Sequence, residues 1–409
     1  MAFTFLHAAD LHLGSPLTGL ALKDEAVARR FSRASRDALS ELVTRALAEK
    51  VAFVLIAGDI YDGDWKDTSI GLFFNREVAR LHRANIPVFF IRGNHDAESE
   101  ITKAVSLPDG VIDFASRKAE TKRLDDLRVA IHGRSFADRV AQENYAVAYP
   151  EPEAGWFNIG VLHTSMEGNA AHAVYAPCSR QDLLARGYDY WALGHIHEYA
   201  VLHQDPWIVY SGNLQGRSVR ECGEKGAVLV TVEDGRVSGL RRMVVDKARW
   251  LNESLDVAAY EDEGKIIDAV SAALTSSLPT SEGRLTAVRV TLTGMSGLHG
   301  ALKSRTAHLR DEIQARLHHL HEDAWLESLK IATQSPVVRR SATGGVDPES
   351  LLAGLEDDPA LIEQAREIMA RVRAKLPAGL DAGALEDLGS IMSDARALAA
   401  SRATEQTGR

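Results

Sequence analysis

Three short apolar runs, Phe3–Ala8, Phe53–Ala57 and Pro87–Ile91, alternate with two long stretches of helical periodicity. The first stretch, Asp24–Lys50, puts Ala26, Phe31, Ala34, Ala38, Leu42 and Ala46 along one helical face. The second runs over Lys66–Arg83. Strands joined through crossovers this long pair in parallel, because a tight turn can only reverse the chain. The order therefore demands an α/β layer with helices packed on a sheet.

Five more apolar runs follow: Val129–His132, Phe157–Leu162, Tyr190–Leu193, Trp207–Tyr210 and Ala227–Val232. Their short connections predict a second, strand-rich sheet. Two sheets packed face to face with helices outside accommodate residues 1–245. Asp246–Leu255 reads as a linker. Residues 250–335 then read as a small α+β capping domain, with helices at Tyr260–Thr275 and His299–His319 and strands at Leu285–Leu292 and Trp325–Ala332. Pro336–Gly345 reads as a loop. Residues 346–409 form a helical C-terminal region, whose stripe Leu361, Ile362, Ala365, Ile368, Met369, Val372 has helical spacing.

Composition narrows the class. With 45% hydrophobic and 25% charged residues, the chain is an ordinary globular one. No run approaches the roughly 18 apolar residues of a membrane span. The start, MAFTFLHAAD, lacks a secretory pattern, so a cytoplasmic protein is expected. Two cysteines, Cys178 and Cys222, exclude a disulfide framework and a Cys-rich zinc site. A net charge of −10 opposes bulk attraction to nucleic acid. It leaves room for a local basic groove, or for metal ions that supply positive charge.

Five short segments each follow a predicted strand: Asp10-Leu-His12, Gly58-Asp59, Gly93-Asn94-His95-Asp96, His163, and Gly194-His195-Ile-His197. Side chains just past strand ends converge on one crevice in an open α/β sheet. Residues i and i+2 of a strand end point the same way, which pairs Asp10 with His12 and brings His195 and His197 to adjacent ions. A donor set of Asp, His and Asn without Cys suits Mn²⁺, Fe²⁺ or Zn²⁺. Glycines beside the ligands let the backbone turn tightly.

The ordered set D-x-H, GD, GNHD, H, GHxH resembles the calcineurin-like metallophosphoesterase superfamily. HAADLHLGSPL, WALGHIHEYAVL and YSGNLQGRSVRECGEKG resemble its SbcD-like, YhaO-type DNA repair exonucleases. The resemblance covers residues 1–245 and implies a two-sheet sandwich flanked by helices. It implies two divalent metal ions, Mn²⁺ first, with Fe²⁺ and Zn²⁺ as alternatives. Asp10, His12, Asp59 and His197 would hold one; Asp59, Asn94, His163 and His195 would hold the other, with Asp59 bridging. A metal-bridging hydroxide would attack phosphorus in line, and His95 would assist the leaving group. The implied activity is a Mn²⁺-dependent 3′→5′ DNA exonuclease with single-strand endonuclease action. The implied partners are DNA, an SMC-like coiled-coil ATPase on which the C-terminal region docks, and a second copy in a homodimer. Archaeal and eukaryotic relatives carry a histidine three residues past the bridging aspartate. Asp62 stands there, which leaves His95 as the main non-metal catalytic candidate.

Other readings stand beside these. The motifs alone also permit a small-molecule phosphodiesterase acting on cyclic nucleotides or nucleotide diphosphates, although such a substrate needs no second domain. A metal-free scaffold is a third reading, against which all the ligand positions are filled. Asp62, Asp64 and Asp67 read as residues that tune the site or, the favoured reading, as caps of the following helix. Asp96 reads as a brace for His95 or a turn cap. Arg217 and Arg220 read as contacts to a DNA backbone or as solvated arginines. Tyr61, Trp65 and Tyr199 read as base-stacking or core residues. His7, His132, His172 and His203 fit no motif and read as structural.

Overall fold

A computed structural model describes residues 2–15, 25–62, 68–98, 108–166, 175–336 and 358–373, with isolated positions at 352 and between 388 and 399. Trp65, Asp64, Asp67, His172, most of the loop at 336–345 and most of the tail beyond 346 lie outside these residues. Two compact units divide the chain: Met1–Leu251 with Thr280–Ala287, and Asn252–Pro279 with Val288–Arg409.

In the first unit, β1 (Ala2–Ala8), β2 (Phe53–Ala57), β3 (Val88–Ile91) and β4 (Val111–Asp113) pair in parallel. All five residues of β2 are buried, as expected of a parallel strand covered on both faces. The crossover helices are α1 (Glu25–Glu49) and α2 (Thr68–Arg83). α1 buries Val27, Phe31, Ala34, Ala38, Leu42 and Ala46. Ala26 is exposed and Val27 takes its place on the apolar face.

The second sheet has β6 (Val129–Gly133), β7 (Phe157–His163), β8 (Tyr190–Gly194) and β10 (Trp207–Tyr210) in parallel, edged by antiparallel β5 (Glu120–Leu124) and β9 (Ala200–Gln204). The run at Ala227–Val232 does not join it. As β11 (Gly226–Glu233) it returns to the first sheet, pairing antiparallel with β1 and with β12 (Arg236–Val244). A short connection did not oblige it to stay with its sequence neighbours.

The sheets bury a shared layer in which Phe5, Phe53, Leu55 and Phe89 meet Val129, Ile131, Phe157, Ile159 and Tyr190. Phe5 and Phe53 stack at 5.0 Å, and Tyr190 meets Phe5 edge-on at 5.3 Å. A separate cluster packs α1 and α2 on the outer face of the first sheet. Another, around Trp191, Tyr188 and Leu183, covers the second. The result is an α/β two-sheet sandwich flanked by helices. His7 is buried in it, bonded to the Tyr190 hydroxyl and the Leu193 carbonyl, and His132 bonds Thr121 and Asn158. Both are structural.

The expected linker at Asp246–Leu255 is instead β13 (Ala248–Asp256). Its polar residues hid a strand because they are partnered or sit on an edge: Arg249 pairs with Asp246 at 2.8 Å, and β13 borders its sheet. That three-stranded sheet runs β13, β14 (Leu285–Met295), β15 (Ala324–Gln334). Helices Glu263–Ser277, His299–Ser304 and Thr306–Leu320 complete this α+β part, so the single helix expected over His299–His319 is two. In the C-terminal region, Pro359–Arg373 is helical, with Ile368 and Val372 exposed. No helix among the described residues is long and apolar enough to cross a membrane.

Candidate metal centre

The parallel ladder of the first sheet continues past its strands. Backbone N–H groups of Asp10, His12 and Leu13 donate to the carbonyls of Gly58, Asp59 and Ile60 at 2.9–3.0 Å. This zips the segment after β1 to the segment after β2. Asp10, His12 and Asp59 all adopt left-handed backbone, with φ of 52°, 41° and 54°, as does His195 at 96°. Their convergence therefore comes from strained turns beyond the strands, not from the i, i+2 alternation of an extended end. Such conformations in non-glycine residues cluster at functional sites. Gly58 and Gly93 permit the approach: a Cβ on Gly58 would collide with His163 Nδ1, and one on Gly93 with the Asp59 carboxylate.

Two ties join the sheets. The backbone N–H of His195 donates to both Asp10 carboxylate oxygens, at 3.1 and 3.0 Å. His163 Nδ1 lies 2.9 Å from the Ala57 carbonyl, which makes Nδ1 the donor and turns Nε2 into the centre.

The inward atoms form two adjoining nests. Asp10, His12 and His197 make one, and Asp59, His163 and His195 the other; His12 also gathers with Asp62 and His95 in a third group nearer the mouth. His12 Nε2 and His197 Nε2 are 3.1 Å apart, and His163 Nε2 is 3.0 Å from Asn94 Oδ1. Asp59 Oδ2 reaches both, 3.9 Å from His12 Nε2 and 3.4 Å from His163 Nε2. Ligand atoms each about 2.1 Å from one ion stand roughly 3.0–3.4 Å from one another, so the spacings of 3.0, 3.1 and 3.4 Å fit the edges of coordination polyhedra, and the 3.9 Å one is somewhat wider. Two imidazole nitrogens facing at 3.1 Å are otherwise a poor arrangement, since each offers a lone pair or a proton to its like.

The charges agree with this. Burial pushes the Asp59 carboxyl up, but His163, His12 and His95 more than reverse that and hold it well below the usual range. Burial pushes His163 down, and the charges of Asp59 and Asp10 outweigh it, raising it to about 9. His12 is pushed down to about 3 by burial and by the Arg217 guanidinium. Without a metal, Asp59 is thus ionised and His12 neutral, while His163 carries a proton that a cation bound at its Nε2 would displace.

A model of the calcineurin-like phosphoesterases matches residues 3–199, and one of the middle domain of metallophosphoesterase YhaO matches residues 250–334. The uncharacterized metallophosphoesterase YhaO of Bacillus subtilis is 34% identical over 295 residues, 71% of this chain and 72% of that protein. The chain belongs to the YhaO-type calcineurin-like metallophosphoesterases. The DNA double-strand break repair protein Mre11 of Sulfurisphaera tokodaii is 26% identical over 274 residues, 63% of this chain and 67% of that protein. Its namesake from Methanopyrus kandleri is 27% identical over 210 residues, under half of either chain.

For a YhaO-type phosphoesterase, the surroundings of the nests hold residues that sequence reasoning missed or misplaced. Glu221 lies 2.8 Å from His197 Nδ1 and also accepts from Asn213, from the Arg217 backbone and from its guanidinium. It sits in the quoted run RECGEKG, where its only signal was nearness to Arg217. Asp62 is no helix cap: its Oδ1 lies 3.2 Å from His95 Nδ1 and 3.7 Å from His12 Nδ1. Asp96 accepts from the backbone N–H groups of Ile60, Tyr61 and Gly93, bracing the two segments that carry Asp59 and Asn94. His95 is half-buried at the mouth, its backbone N–H donating to Asp59 Oδ1 at 3.0 Å. Arg217 borders the mouth, 3.8 Å from Asp62, while Arg220 is exposed and nothing in the structure joins it to the centre. Tyr61 is buried against Phe74 and so is core, and Tyr199 packs beneath the Arg242 guanidinium.

Proposed function

We propose that the chain is a dinuclear-metal phosphodiesterase that cuts DNA, working as a Mn²⁺-dependent 3′→5′ exonuclease with single-strand endonuclease action. The observation that supports it is the pair of ligand nests sharing the Asp59 carboxylate. Asp10, His12, Asp59 and His197 would hold one divalent ion, and Asp59, Asn94, His163 and His195 the other. Such a pair, when bound, activates water and neutralises phosphate charge. The chain's own groups do the rest. Asp62 accepts from His95 Nδ1, which leaves Nε2 to move a proton at the leaving oxygen. Glu221 holds Arg217 at the rim, where its planar fork suits a phosphate oxygen. DNA is favoured as substrate by the likeness to proteins named for double-strand break repair.

In the test, His95→Gln and Asp59→Asn are assayed on a labelled duplex with Mn²⁺, with circular dichroism as the fold control. Both variants are expected to lose digestion with an intact fold. Undiminished digestion by both would overturn the proposal. Competition between mononucleotide diesters and oligonucleotides tests the small-molecule alternative.

A further inference from the structure

The outer flank of the first unit carries a charge pattern opposite to the rest of the chain. The chain has 57 acidic and 47 basic residues. Yet two adjoining hollows, of about 530 and 450 Å³, gather Arg29, Arg30, Arg33, Arg36, Arg76 and Lys247 along their walls. Among the described residues lining them, Asp37 is the one acid. The hollows share Arg33 and Asp37, so they form one continuous trough.

Most of this charge rises from the first half of α1. Arg29, Arg33 and Arg36 follow at i, i+4 and i+7, one above another on a single face. Like charges at these spacings repel and weaken a helix. Acids nearby offset this in part: Glu25 lies 3.9 Å from Arg29, Glu41 lies 3.4 Å from Lys247, and Glu77 holds Arg76 at 3.3 Å. Arg29, Arg30 and Arg33 remain exposed to solvent.

Topology fixes where the trough lies. A crossover helix starts at the end of one parallel strand and runs back beside the sheet. The first turns of α1 and α2 therefore lie at the carboxyl ends of β1, β2 and β3, the end where the metal nests are built. Lys247 follows β12, which two antiparallel steps make parallel to β1, so it lies at that end too.

We infer that this trough binds the phosphate backbone of a nucleic-acid duplex beyond the bond being cut. The inference rests on the proposed DNA substrate and extends it. Guanidinium forks match phosphate oxygens in pairs. A lipid surface is disfavoured, because insertion needs an apolar face and, among the described residues, Leu72 is the one large exposed apolar residue on the walls.

The test uses the full chain and its Arg30→Gln/Arg33→Gln variant, neither position belonging to the metal centre. Binding to a fluorescein-labelled DNA duplex is read by anisotropy across a NaCl series without added metal. Losing two phosphate contacts lowers the slope of log K against log salt by about 1.8, and weakens binding at 0.1 M salt roughly tenfold or more. Mn²⁺-dependent hydrolysis of bis(p-nitrophenyl) phosphate stays unchanged. An unchanged slope in the variant overturns the inference, as does a wild-type chain that does not bind duplex. A variant whose sedimentation mass changes while its slope holds assigns the face to a second copy, which also overturns it. A wild-type chain that binds through this face but leaves the same duplex uncut once Mn²⁺ is added refutes the nuclease reading alone.

Discussion

Glu221→Gln is the smallest change that asks whether the metal nests are held from behind. The Glu221 carboxylate is surrounded by donors on both oxygens. Oε1 meets His197 Nδ1 at 2.8 Å and the Arg217 guanidinium at 3.1 Å; Oε2 meets Asn213 Nδ2 at 2.9 Å and the Arg217 backbone N–H at 2.8 Å. Burial raises its pKa, but His197 and Arg217 more than reverse this and keep it ionised. A glutamine must place its NH₂ against one of those pairs. On the Oε1 side it forces the His197 proton from Nδ1 to Nε2, the atom that faces His12. On the Oε2 side it leaves two buried donors unpaired, at about 1–3 kcal/mol each. Either way His197 loses its orientation. Outer partners of this kind are worth about 10–100-fold in metal affinity, or about 1.4–2.7 kcal/mol. Calorimetric titration with Mn²⁺ should show one of two sites weakened by that factor. The site built on His163 and Asn94 should change far less. If both constants stay within about twofold of wild type, where at least tenfold was expected, the reasoning fails.

Three further outcomes follow from the same geometry. Asp96→Asn leaves at least one of the Ile60, Tyr61 and Gly93 N–H groups without an acceptor, and should cost about 1–3 kcal/mol in urea unfolding; an unchanged midpoint would count against the brace. Asp62→Asn should slow hydrolysis of a small diester about 10–100-fold with metal stoichiometry intact, because His95 loses its ionised partner; equal turnover would remove Asp62 from the reaction. His163 is raised in the folded chain from 6.5 to about 9, so its pairing with Asp59 stabilises the metal-free fold fully below pH 6.5 and is lost as pH rises through about 9. Melting of the metal-free protein should therefore weaken across that window, by up to about 3 kcal/mol, and Mn²⁺ should offset the loss; a flat profile would contradict the pairing.

The residues that the fold gathers into the two nests were legible because chemistry and order coincide: apolar runs, then Asp, His or Asn beside glycine. The first sheet was legible because parallel strands buried on both faces read as unbroken apolar runs, as Phe53–Ala57 does. The way the ligands converge was not. Left-handed turns at Asp10, His12 and Asp59 leave no mark in composition, and only the backbone bonds between the two segments reveal them. Glu221 escaped, and Asp62 was read first as a helix cap, for a related reason. Each acts on a histidine distant in sequence, so no local spacing announces it. β5 and β13 were missed because polar residues on edge strands look like loop.

The first unit is not one uninterrupted stretch of chain, because Thr280–Ala287 belongs to it. Arg284 of that returning segment donates to the Asp246 carbonyl at 2.9 Å, and Arg249, nearly inaccessible to water, reaches the Thr280 carbonyl. Anyone trimming this enzyme to its hydrolytic half with a stop codon after residue 251 would strip counter-charges and acceptors from a sealed ionic knot. A minimal version that keeps it intact must run past residue 287, or splice that short piece back through a designed loop.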